Sequence, residues 1–158
     1  GTLIALLDDG IPVLGIIDQP IAGDRWVGAT GRQTLFNCSP ASTRQCPALA
    51  SAYVGTTSPQ AFDPADFKRF EQLRTGVREV LYGGDCHNYG LLASGWLDLV
   101  VESGLKLHDF AALVPVVEGA GGVMRDWSGQ PLHSGSDGRV IAAGDAGLLA
   151  GVVAALSA

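Results

Sequence analysis

Three carboxylates in this chain stand where carboxylates do chemistry. Asp85 follows two glycines in Gly83-Gly84-Asp85-Cys86-His87. Glycines before a helix start leave backbone N–H groups facing outward, which suits a phosphate or another polar ligand; the same pattern also describes an ordinary N-cap with Asp85 as the cap. Glu102 closes the apolar run Leu97 to Val101 and precedes Ser103-Gly104. A carboxylate at the carboxyl end of a strand often faces a ligand crevice, and the plainer reading is a solvated strand end. Asp109 lies in Leu107-His108-Asp109-Phe110-Ala111-Ala112, a polar residue among apolar ones at a helix start. It could coordinate Mg²⁺, a hard cation that takes oxygen ligands and keeps several waters, or it could serve as another cap. Magnesium sites normally use more than one carboxylate, and spacing alone does not bring these three together.

Other chemistries find no support. His87, His108 and His133 form no nucleophile–base pattern, and neither a G-x-S-x-G elbow nor a phosphate-binding P-loop occurs. Cys38, Cys46 and Cys86 are odd in number and scattered, without a C-x-x-C pair. They read as free thiols of a reducing cytoplasm rather than zinc ligands. Asp126-Trp127-Ser128-Gly129 reads as a turn, and Glu118 as a solvated helix residue.

The elements that must position these groups follow from the pattern of the chain. Of its 158 residues, 47% are hydrophobic and 16% charged, which suits a packed core. The net charge of −6 and the lack of a basic block argue against nucleic acid. No apolar run reaches the roughly 18 residues of a membrane span. Gly1 to Leu7 lacks a basic flank and a cleavage site and reads as a strand, not a signal peptide.

Residues 1–37 read as an antiparallel meander: strands at 3–7, 12–17, 25–29 and 33–37, with Asp8-Asp9-Gly10 as a hairpin turn. Residues 38–158 read as an α/β unit that opens with a Ser-, Pro- and Thr-rich loop to Leu49. Strands are expected at 52–56, 79–82, 97–101, 123–126 and 140–143. Helices are expected after the cap Asp63 with Phe67 and Phe70 on one face, and at 85–93, 109–120 and 145–156. In the third of these, Phe110, Leu113, Val114 and Val117 form a buried stripe, Pro115 should bend the helix, and Gly121-Gly122 ends it. The pattern implies helices packed on a mixed sheet. The meander begins inside a strand with no helix to cover it, so the expectation is a chain that starts in the middle of a longer protein.

Together these segments resemble the inositol-monophosphatase superfamily. That family carries Trp-Asp-x-Ala-Ala followed by a helix ending in Glu-Ala-Gly-Gly; here the stretch is His108-Asp109-Phe110-Ala111-Ala112 and onward to Glu118-Gly119-Ala120-Gly121-Gly122. Gly84-Asp85-Cys86-His87 and Leu99-Val100-Val101-Glu102 are similar to the family's substrate-side loop and its substrate-contacting glutamate. The Tyr82 to Cys86 and Ala112 to Gly122 runs look most like the histidinol-phosphate phosphatase branch.

The resemblance implies a layered α/β/α/β fold and a Mg²⁺-dependent phosphomonoesterase acting on a small phosphate monoester, histidinol phosphate in histidine biosynthesis. Asp109 would be a metal ligand, and Gly84, Asp85, Cys86 and Glu102 would contact the substrate. A cytoplasmic homodimer is implied by analogy. The alternatives are an inositol-phosphate or nucleotide-phosphate phosphatase of the same superfamily, or a non-catalytic fragment. Two departures stand out: the family's Asp-Pro-Ile/Leu-Asp-Gly-Thr metal motif is absent, and His108 replaces the usual Trp. On its own the chain is expected to bind Mg²⁺ poorly and turn over little.

Overall fold

The computed structural model describes residues 1–157. The chain opens with a five-stranded antiparallel sheet in sequential order: β1 (Thr2–Asp8), β2 (Ile11–Gln19), β3 (Asp24–Ala29), β4 (Leu35–Phe36) and β5 (Ser39–Pro40). The first hairpin closes through Asp9 and Gly10, both at positive φ (45° and 77°), as a two-residue turn matched to strand twist requires. The fifth strand was not expected. Its turn is made by Asn37 and Cys38 at positive φ (45° and 68°), without the glycine that would have signalled it.

A second, mixed sheet has the order β7-β6-β8-β10-β9. Its strands are β6 (Tyr53–Thr56), β7 (Glu79–Tyr82), β8 (Leu99–Glu102), β9 (Val123–Arg125) and β10 (Val140–Ala143). β6 pairs in parallel with β7 and β8, whereas β10 runs antiparallel to β8 and β9. Helices α2 (His87–Ala93), α3 (Leu107–Phe110) and α4 (Leu113–Gly119) lie between the sheets, while α1 (Pro64–Thr75) and α5 (Leu149–Ser157) cover the far face of the mixed sheet. Two cores result. One joins Ile17 and Trp26 of the first sheet to α2, α4 and the inner residues Val100 and Ala142. The other joins Leu99, Val101 and Ile141 to Phe70, Leu73, Val152 and Leu156.

The layer between the sheets departs from the single bent helix expected at 109–120. It is two short helices, broken at Ala111-Ala112. Pro115 therefore sits in the first turn of α4, where its missing N–H costs nothing, instead of in a helix interior. Sheets on both sides bury every residue from Phe110 to Val117, so a continuous apolar run replaces a stripe.

Close packing here depends on two glycines. Gly15 and Gly28 face each other across β2 and β3. A Cβ on Gly15 would strike the Ala112 carbonyl, and one on Gly28 the Pro115 carbonyl. The sheet lacks side chains where the helix backbone lies against it. Thr34 then ties the far end of α4 down: its hydroxyl donates to the Val116 carbonyl (2.7 Å) and its N–H to the Gly119 carbonyl (3.0 Å).

Asp63 caps α1, its carboxylate accepting the N–H groups of Ala65 and Asp66 at 2.9 Å. Phe70 and Leu73 form the buried face of α1, and Phe67 is exposed instead of sharing it. Asp66 is buried and held by Arg139 (2.8 Å) and Ser103 (2.5 Å), so it links α1 to the loops beside β8 and β10. Glu118 is exposed and pairs with Arg125 at 2.6 Å. Asp126 makes the expected turn, accepting from the N–H groups of Ser128 and Gln130 at 2.8 Å.

Candidate active site

β6, β7 and β8 are parallel, so their carboxyl ends and the loops that leave them share one edge of the sheet. That edge carries Thr56 at the end of β6 and Thr57 just after it, Gly83 to Cys86 after β7, and Glu102 at the end of β8. Ligands of α/β sheets collect at such edges.

Glu102 is only 4% exposed. One carboxylate oxygen accepts both the N–H and the hydroxyl of Thr57, each at 2.7 Å, and the other accepts the Thr56 hydroxyl at 3.4 Å. Burial pushes the Glu102 carboxyl above its ordinary range; the bonds from Thr57 and Thr56 pull it back in part, and the charge of Asp85 raises it further. The solvated strand end is thus excluded: this is a buried acid that its neighbours hold in a fixed orientation.

The Gly83–Asp85 segment is not a simple helix start. Gly83, Gly84 and Asp85 all have positive φ, at 86°, 89° and 50°. The helix begins only at His87, and Cys86 occupies the cap position. Asp85 therefore does not cap α2 and projects as an exposed carboxylate from a left-handed residue, a conformation that aspartate tolerates better than most side chains. Asn88 holds the turn by donating to the Gly83 carbonyl at 2.7 Å, and a Cβ on Gly84 would collide with the Asn88 side chain. The N–H of Gly83 is turned inward onto the carbonyls of Thr56 and Thr57, both at 3.0 Å. The Cys86 thiol is buried, and burial followed by the charge of Asp85 raises its pKa.

Asp109 lies in the first turn of α3, two residues past its start. One of its oxygens accepts the Lys106 N–H at 2.7 Å, closing the loop that leaves β8. Its other oxygen has only a long approach from His108, at 3.7 Å. That leaves one partly exposed carboxylate oxygen suited to a hard cation. Among the described residues, no group of three or more His, Cys, Asp or Glu is placed to hold a metal ion. Asp109 fits as a single oxygen ligand and does not form a magnesium site by itself.

Tyr89 is a buried polar side chain that the sequence reading missed. It is 2% exposed, and its hydroxyl has no hydrogen-bond partner. Burial raises its pKa well above the ordinary phenol, and the charges of Glu102, Asp85 and Asp109 add to that effect. Thr57 and Asn88 were also missed. Asn88 and Tyr89 lie just past the Gly-Gly-Asp run, and a helix starting at His87 would have turned them inward. Thr57 lies 45 residues from Glu102 in sequence, and nothing local marks the pairing.

Two sheets with helices between and outside them, and Glu102 and Asp85 at the carboxyl edge of the mixed sheet, define a layered α/β architecture with a ligand-facing edge. The chain belongs to the inositol monophosphatase family, whose pattern matches residues 1–158. It is 56% identical over 130 residues to the chloroplastic bifunctional phosphatase IMPL2 of Arabidopsis thaliana, a match covering 82% of this chain and 38% of that protein. It is 32% identical over 143 residues to the histidinol-phosphatase of Chlorobaculum parvum, covering 90% of this chain and 55% of that protein. The solved inositol monophosphatase from Zymomonas mobilis superposes with a TM-score of 0.97 at 54% identity, covering 99% of this chain and 62% of that one. The chain thus spans about two fifths to three fifths of the proteins it matches. Among the described residues, no helix is long and apolar enough to cross a membrane.

Proposed function

We infer that this chain is the substrate-side part of a Mg²⁺-dependent phosphomonoesterase whose leaving alcohol carries a cationic amine, with histidinol phosphate as the substrate. One observation carries the reading: a buried glutamate, Glu102, is held by threonines with no cation beside it among the described residues, and the charge of Asp85 raises its pKa further. A site with such excess negative charge favours a positively charged ligand over a neutral polyol. The histidinol-phosphatase relative supports the same substrate.

Each residue has a role in this reading. Thr57 orients the Glu102 carboxylate, Asp85 approaches the amine from the exposed side, and Gly84 and Cys86 shape the loop that presents Asp85. Asp109 gives one oxygen to magnesium. When bound, magnesium supplies an activated water and neutralises charge on the phosphoryl oxygens. A homodimer in a reducing compartment, the cytoplasm, completes the proposal, and the three free cysteines fit it. The relative in the chloroplast favours a plastid as the second location. A second reading, hydrolysis of inositol phosphate, is favoured by the 54% identity to the Zymomonas mobilis inositol monophosphatase.

Asp85→Asn, made in the longest natural product that carries this chain, separates the two. Losing one charged contact should raise KM for histidinol phosphate about tenfold, the equivalent of roughly 1.4 kcal/mol, and leave KM for inositol 1-phosphate nearly unchanged. Equal effects on both substrates would sink the cationic-substrate reading.

A further inference from the structure

The loop that runs from Glu102 to Asp109 is anchored at three points. Ser103, the first residue after β8, donates its hydroxyl to a carboxylate oxygen of Asp66 at 2.5 Å. Two residues on, the Leu105 N–H donates to the Gly138 carbonyl at 3.1 Å, and a Cβ on Gly138 would strike the Leu105 carbonyl. The loop then closes on Asp109, which accepts the Lys106 N–H at 2.7 Å.

The first anchor is built on a buried ion pair. Asp66 is buried, and Arg139 donates through Nε to both of its oxygens, at 2.8 and 3.1 Å. Arg139 also donates to Asp137 at 2.8 Å. This pair alone joins α1 to the start of β10, because the guanidinium already meets both oxygens and the carboxylate is not stranded without the serine. The Ser103 bond therefore adds little to that link. It holds the loop, by a charge-assisted hydrogen bond of the short, strong kind. Ser103 is the chain neighbour of Glu102, whose carboxylate Thr57 grips from the β6 side. Glu102 is thus fixed twice: its carboxylate by Thr57, and the main chain beside it by Ser103.

We propose that Ser103 is a positioning residue: held on the buried Asp66–Arg139 pair, it fixes the loop that sets Glu102 and Asp109 relative to each other. This rests on the phosphomonoesterase reading, in which Glu102 contacts the leaving alcohol and Asp109 the metal, and it extends that reading to a side chain that touches neither. Small displacements of positioned groups weaken binding steeply. Freeing the loop loosens both carboxylates together, so substrate and metal binding fall in the same variant.

Ser103→Ala, Ser103→Thr and Arg69→Met in the longest natural product that carries this chain test this. Arg69 approaches Asp66 from within α1 at 3.5 Å, so its loss weakens the network and leaves the Ser103 bond in place. For whichever of histidinol phosphate and inositol 1-phosphate the parent hydrolyses, KM of Ser103→Ala should rise about fivefold with kcat within about twofold. The Mg²⁺ concentration that gives half of the metal-induced rise in melting temperature should increase about threefold. Ser103→Thr keeps the hydroxyl and should return both values to within about twofold of the parent, and Arg69→Met should leave both within about twofold. An unchanged KM or an unchanged Mg²⁺ midpoint in Ser103→Ala, no rescue by threonine, or an equal rise in Arg69→Met would each overturn the assignment. A parent active on these esters, with Ser103→Ala indistinguishable from it, sinks this inference alone. A parent inactive on both sinks the phosphomonoesterase reading and this inference with it.

Discussion

Gly15→Ala tests how the sheet glycines hold the helix layer that carries Asp109. The added methyl group would occupy the place of the Ala112 carbonyl, and its next nearest neighbours are also Ala112 main-chain atoms. No side-chain rotation relieves such a clash, so the α3–α4 junction must lift from the sheet. Overpacking costs about 1–3 kcal/mol, and an obstruction made of main chain puts this case near the upper end, about 3 kcal/mol. For a chain of this size that is a fall in melting temperature of roughly 6–12 °C. The control is Gly23→Ala, which adds a methyl at φ +76° with nothing within 4 Å. It carries only the left-handed strain, about 1–2 kcal/mol, or roughly 2–8 °C. Differential scanning calorimetry of both variants, run in one buffer, decides the matter. If Gly15→Ala melts as high as Gly23→Ala, the close approach of α4 to β2 is not what fixes this layer, and the reasoning fails.

Three other perturbations follow from the charged groups. Glu102 has a folded pKa above its ordinary value of 4.5, first through burial, so its ionisation costs stability that is fully present below that value and lost as pH rises through the folded one. Glu102→Gln should therefore raise the melting temperature near neutral pH and give no gain at about pH 4; a gain that is equal at both would contradict the burial argument. Asp98 is 2% exposed, accepts two bonds from Arg44 (2.6 and 2.7 Å) and one from the Tyr53 N–H (2.8 Å). Arg44→Met strands that carboxylate and should cost about 2 kcal/mol in urea unfolding, less than a fully buried pair because the Arg44 side chain is 41% exposed; an unchanged midpoint would refute it. In the longest natural product that carries this chain, Asp109→Asn keeps an acceptor for the Lys106 N–H, so its melting temperature in EDTA should match the parent. The rise on adding Mg²⁺ should shrink; a full rise would remove Asp109 from the metal's ligands.

Much of the fold was legible because its signals are local. The apolar runs gave nearly every strand, and Asp9-Gly10 gave the first turn. Asp63-Pro64 gave the start of α1. The misses have tertiary causes. The Asn37-Cys38 turn uses non-glycine residues at positive φ, so it left no mark. The α3–α4 break is set by two sheets closing on the chain from opposite sides and by Pro115, which fits only a first turn. Phe67 has the spacing of a core residue, but α1 turns Phe70 and Leu73 to the sheet instead. At the site, Asp85, Glu102 and Asp109 stood out by their position at element ends. Their supports did not, since Thr57 reaches Glu102 across parallel strands and nothing local in the sequence marks that pairing.

The central claim is the chemistry of the leaving alcohol, and phosphate release by the longest natural product carrying this chain tests it most directly. With Mg²⁺ present, and with histidinol phosphate, inositol 1-phosphate and a nucleoside 3′-phosphate compared side by side, kcat/KM should be highest for histidinol phosphate by about tenfold or more. A preference for inositol 1-phosphate or the nucleotide, with histidinol phosphate hydrolysed no faster than p-nitrophenyl phosphate, would contradict the account.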